Sequence, residues 1–79
     1  MDNDYMISLA RKLYMFTTLY YSKQEVLNSE GRKLLEDYIK ELKRLGIHSG
    51  SRFIKVVRKN PTLENVRKLI SMTCPEVFE

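Results

Sequence analysis

A single cysteine, Cys74, excludes an intramolecular disulfide framework, so packing alone must hold these 79 residues together. Histidine is equally scarce. His48 stands beside Ser49 in a turn-like stretch, with no third orienting group or oxyanion donor in view, so the pattern of a hydrolase triad is missing. Gly31, Gly46 and Gly50 are isolated from one another, which excludes a glycine-rich phosphate loop. One Cys and one His among scattered carboxylates fall short of the roughly three or four ligands a metal site needs. The sequence therefore predicts neither enzyme nor metal nor cofactor. It also has little that belongs to a membrane. The longest notable uncharged run, residues 13–22, is ten residues long, about half of the roughly 20 needed to cross a bilayer, and it includes hydroxyls on Thr17, Thr18 and Ser22. No basic, apolar, small-residue secretory signal opens the chain, so a cytoplasmic protein is expected.

That uncharged run is also the most informative feature present, because the chain as a whole is 30% charged. Asp2, Asn3 and Asp4 offer N-cap oxygens and negative charge for a first helix over 4–21. Along it Met6, Leu9, Ala10, Leu13, Phe16 or Thr17, and Tyr20 recur at helical spacing, and Ile7, Tyr14, Thr18 and Tyr21 form a second stripe beside them. A surface helix needs only one apolar stripe. Either both stripes are core in a tight bundle or one of them meets a partner, and a strand is the competing backbone state because Tyr, Phe and Thr favour strands. Ser22 and Glu25 have the spacing of a capping box that would start the next helix.

The clearest pattern follows. Leu34, Leu35, Tyr38, Ile39, Leu42 and Leu45 share a face, charged residues cover the other, and Gly46 with Ile47 closes the helix at Leu45. Ser49 or Ser51 is expected to cap a helix over 52–59 with Phe53, Val56 and Val57 inward, although Phe53 to Val57 also suits a short strand. Asn60-Pro61 ends that element, Thr62 caps a last helix, and Leu63, Val66, Leu69, Ile70 and Thr73 form its buried face up to Cys74-Pro75. The expectation is an all-α fold, a compact bundle of four to five short helices, in one domain over residues 1–79. A chain of this size buries only about 60% of its unfolded surface, so self-association into a dimer is expected to help stabilise it.

Charge divides the chain. Residues 1–39 carry five basic and six acidic groups, whereas residues 40–68 carry nine basic groups against Glu41 and Glu64 alone. Lys43, Arg44, Arg52, Lys55, Arg58, Lys59, Arg67 and Lys68 make a candidate patch for nucleic-acid phosphates or for an acidic protein, and a solvated face without a ligand is the third reading. The segment Arg58-Lys59-Asn60-Pro61-Thr62-Leu63-Glu64-Asn65-Val66-Arg67 resembles the opening of some helix-turn-helix DNA-binding segments, in which Val77-Phe78 would begin a recognition helix.

Taken in order, Leu19-Tyr20-Tyr21-Ser22 leading into Lys23-Gln24-Glu25-Val26, the helix closed by Leu45-Gly46-Ile47, then Phe53-Ile54-Lys55-Val56-Val57, and Thr62 to Ile70 resemble the AsiA anti-sigma proteins of T4-like bacteriophages. The resemblance implies a small helical transcription regulator that binds region 4 of the primary sigma factor of bacterial RNA polymerase. It also implies self-association through the face that the sigma subunit later covers. Carried onto this chain, the partner-binding face would be Met6, Ile7, Leu13, Tyr14, Thr17, Tyr20, Leu35 and Tyr38. Tyrosines suit such a face because their rings tolerate burial and their hydroxyls tolerate water. The alternative is a small basic DNA-binding protein working through residues 40–68.

Overall fold

The structure, a computed structural model, describes residues 4–78. Its order is α1 (Asp4–Met15), α2 (Thr17–Tyr20), α3 (Ser29–Arg44), α4 (Ser51–Lys59), α5 (Leu63–Thr73) and a terminal 3₁₀ helix, Pro75–Phe78. No strand forms among the described residues, so the all-α expectation holds and both strand readings fall away. The proposed caps Asp2 and Asn3 lie outside the described residues. Met6, Leu9, Ala10 and Leu13 from α1, Leu35, Tyr38, Ile39 and Leu42 from α3, and Val66, Leu69 and Ile70 from α5 pack into one core.

The first helix is shorter than expected. It stops at Met15, Phe16 leaves the helical region at φ −98 and ψ 57, and only one further turn, α2, follows before Tyr21 becomes extended. Tyr21 explains how the break is tolerated. The Leu13 carbonyl, which in an unbroken helix would accept from the Thr17 amide, instead accepts from the Tyr21 hydroxyl at 2.8 Å. The carbonyls that end α2 are also satisfied, since the Asn28 side-chain amide donates to Leu19 and its backbone amide to Tyr20, both at 2.9 Å.

Ser22 to Glu25 is a tight turn and not a capping box. The Glu25 amide donates to the Ser22 carbonyl at 2.9 Å, the Ser22 amide to Val26 at 2.8 Å, and Glu25 adopts the left-handed region at φ 62. The real cap of α3 is Asn28, whose side-chain oxygen accepts from the Gly31 amide at 2.9 Å. The turn is held by the distant α4–α5 connection: Leu27 donates to the Pro61 carbonyl at 2.9 Å and Leu63 donates to the Glu25 carbonyl at 2.8 Å. Glu25→Gly should therefore stabilise the fold by about 0.5–1 kcal/mol, because glycine adopts a positive φ without the steric cost a side chain carries there. A urea titration reads this as a higher midpoint at unchanged slope.

The expected close of α3 is present. Gly46 has φ 70, its amide donates to Lys43 at 3.2 Å, and Ile47 donates to Leu42 at 2.9 Å, the paired bonds of a Schellman motif. Thr62 caps α5 by accepting from the Asn65 amide at 3.2 Å, and every predicted inward residue of α5 is buried. The fourth helix differs in detail. Its N-cap is Gly50, with no side-chain cap, because the Ser49 hydroxyl donates to the Met72 carbonyl at 2.7 Å instead. Ile54 and Val57 face the core with Phe53 half-buried, while Val56, expected inward, is exposed. No helix among the described residues is long and apolar enough to cross a membrane.

Candidate functional site: an exposed apolar rim and a divided basic half

The eight residues assigned to a partner face separate into two groups. Met6, Leu13, Leu35 and Tyr38 are core, each at most 3% exposed, so they do not form a surface in this fold. Their helical spacing reports the face α1 and α3 bury against each other. Ile7, Tyr14, Thr17 and Tyr20 are half-buried at the margin of that core. Tyr14 is engaged within the chain: Phe78 meets its ring edge-on with centroids 4.6 Å apart, and the Arg67 guanidinium lies 5.2 Å from the ring centre. Val77 and Phe78 thus fold back with the 3₁₀ helix, Val77 packing against the core and Phe78 against Tyr14.

The most exposed large apolar side chains gather where the first helix breaks, while Val56, Met72 and Phe78 are exposed elsewhere. Met15 is 61% exposed, Phe16 48% and Leu19 63%, with Tyr5 at 55% further back along α1. Shallow hollows flank this rim, one lined by Ile7, Ser8, Arg11, Lys12 and Phe16, the other by Thr17, Thr18, Tyr21 and Ser22. Met15 and Leu19 belong to neither helical stripe read from the sequence, and that mismatch was the available signal that they point elsewhere. Phe16 and Thr17 are alternatives for one place on the core stripe, and the break leaves Thr17 half-buried and Phe16 exposed.

The basic half divides in the same way. Arg44 binds Glu41 with its Nε and Nη2 at 2.9–3.2 Å, and this guanidinium holds the Glu41 carboxyl below the usual carboxylate range. Arg58 grips Glu36 of α3 through two bonds, at 2.9 and 3.1 Å, tying α4 to α3. Lys68 pairs with Glu64 at 3.7 Å, and Arg67 is occupied on Tyr14. Lys43, Arg52, Lys55 and Lys59 make no ion pair among the described residues. The candidate patch is therefore part structural, part exposed charge.

His48 is exposed in the turn before α4, and the neighbouring Ser49 hydroxyl is spent on Met72. Cys74 is buried, and that burial, helped by a hydrogen bond with Glu76, pushes its thiol up to about 11, so it stays protonated near neutral pH. Among the described residues no three of His, Cys, Asp and Glu gather in a way that would hold a metal ion. In comparisons with known proteins, the chain matches no family model, no curated protein and no solved structure.

Proposed function

We propose that this chain is a small protein-binding regulator of transcription, acting in the cytoplasm by occupation and not by catalysis, whose partner is a subunit of bacterial RNA polymerase. The partner that the AsiA-like pattern implies is region 4 of the primary sigma factor. One observation carries the reading: Met15, Phe16 and Leu19, three large apolar side chains, stand 48–63% exposed at a helix break. Exposed apolar clusters on small domains mark interaction surfaces, and an aromatic at the centre of such a surface commonly dominates its binding energy. In this proposal the contact set moves from the buried Met6, Leu13, Leu35 and Tyr38 to Met15, Phe16 and Leu19, with Ile7, Thr17 and Tyr20 at the edge. Without sigma, a second copy of the chain covers the same rim, giving a homodimer.

Titration calorimetry with isolated sigma region 4 tests this. Phe16→Asp and Leu19→Asp should each weaken binding by about 30-fold or more, the size expected when a charge replaces an interface anchor worth about 2 kcal/mol. Far-UV circular dichroism should stay unchanged, since both side chains are exposed. Region 4 that fails to bind the unmodified chain at micromolar concentration would overturn the choice of partner. Binding that survives both substitutions would overturn the choice of surface.

A further inference from the structure

We infer that the solvent face of α4 is a second binding surface, for the phosphate backbone of double-stranded DNA, formed by Arg52, Lys55 and Lys59. These residues recur at i, i+3 and i+7, which places them along one side of the helix over about 10 Å at 1.5 Å per residue. All three are exposed and none has an ion-pair partner among the described residues, unlike Arg58 on the same helix, which is committed to Glu36. The chain carries no carboxylate between Glu41 and Glu64, so neither α4 nor its flanking turns supply a counter-charge to the row. Glu36, the carboxylate that reaches α4 from α3, is neutralised by Arg58.

The composition of the face selects among anionic ligands. Single-stranded nucleic acid is held by aromatic stacking as well as charge, and this face offers no ring: Phe53, the only aromatic of α4, packs half-buried against the core. Membrane-surface helices need a broad apolar face to insert, and Val56 is the only large exposed apolar residue of α4. What remains is a row of cations able to neutralise successive phosphates of a duplex without reading its bases. The surface shares no residue with the rim at the α1–α2 break, so it stands or falls independently of the proposed protein partner.

Fluorescence anisotropy with a labelled 20-base-pair duplex of mixed sequence is the test, run in parallel with the single strand and with vesicles containing phosphatidylserine. About three neutralised phosphates predict a log-log salt slope near −3 and an affinity loss of about 20-fold between 50 and 150 mM salt. Joint replacement Arg52→Gln, Lys55→Gln and Lys59→Gln should abolish most of the binding and flatten the slope, with the fold checked by circular dichroism. Arg52→Lys should bind as the unmodified chain does, because phosphate neutralisation needs the charge and not the guanidinium. Lys33→Gln, which removes a cation of α3 paired with Glu30, should change nothing. Equal losses for Lys33→Gln and Lys55→Gln would reduce the effect to overall charge and overturn the site. Preference for the single strand or for the vesicles, or no duplex binding at 50 mM salt, would overturn it as well.

Discussion

Gly31→Ala is expected to cost about 3 kcal/mol, and Gly31→Val to leave the chain largely unfolded at 25 °C, although Gly31 lies inside α3 where alanine is intrinsically the better helix former by about 1 kcal/mol. Tertiary contact reverses that preference. A Cβ at Gly31 would stand 2.5 Å from a methyl of Leu27 and 2.5 Å from the Tyr20 carbonyl oxygen. Leu27 can rotate only against its buried neighbours. The carbonyl has less freedom still, because it accepts the Asn28 amide at 2.9 Å, and Asn28 also caps α3. Relieving the contact means lifting α2 off α3 and opening the whole 20–31 connection. A domain of this length has about 4–12 kcal/mol in total, so the loss is a large share of it. Thermal unfolding should show Gly31→Ala melting about 15 °C lower. Because α2 carries Leu19, the same variant should also weaken partner binding beyond what its residual folded fraction explains. An alanine variant as stable as the parent would mean that α2 does not rest on α3 in this way.

The same region shows where the sequence stops being readable. Gly46 with Ile47, Thr62 with Asn65, and the inward face of α5 were all legible because each is fixed by residues within a few positions of one another: a left-handed glycine, a hydroxyl three residues before an amide, a 3.6-residue period. Ser22 and Glu25 have equally local spacing, but Ser-x-x-Glu suits the start of a helix and a four-residue turn alike. The choice is made by Pro61 and Leu63, whose carbonyl and amide bind Leu27 and Glu25 from more than 30 positions away. The break at Phe16 has the same origin, since it is Tyr21, released into extended backbone by that turn, that satisfies the Leu13 carbonyl. Site assignment followed suit. A continuous first helix puts Phe16 or Thr17 inside and gives Met15 and Leu19 no place on either stripe, whereas the broken one exposes Met15, Phe16 and Leu19. The basic half was legible as charge but not as pairing, because Arg58 meets Glu36 across 22 positions.

Tyr38→Ala should cost about 4 kcal/mol and leave the chain close to its unfolding threshold, while Tyr38→Phe should cost about 1 kcal/mol. Tyr38 heads the fully buried side chains by volume, and its hydroxyl lies 2.6 Å from Thr73 Oγ1 across the α3–α5 contact. The direction of that bond follows from its neighbour. Thr73 donates its only hydroxyl proton to the Leu69 carbonyl at 2.8 Å, so Tyr38 must be the donor and Thr73 Oγ1 the acceptor. Thr73→Val therefore strands a buried phenolic proton and should cost about 1–3 kcal/mol, and the double variant Tyr38→Phe with Thr73→Val should cost less than the sum of the two. Burial also raises the Tyr38 phenol above its ordinary value of 10.0. The folded chain then holds this proton where the unfolded chain releases it, so the contribution is complete below about pH 10 and declines as pH rises beyond it. Tyr38→Phe should lessen that decline in urea titrations carried above pH 10, leaving the share of Tyr21, whose phenol burial raises in the same direction. Strict additivity in the double variant would sever Tyr38 from Thr73. A Tyr38→Ala variant that stayed stable while losing its partner would return Tyr38 to the binding face that the sequence first suggested.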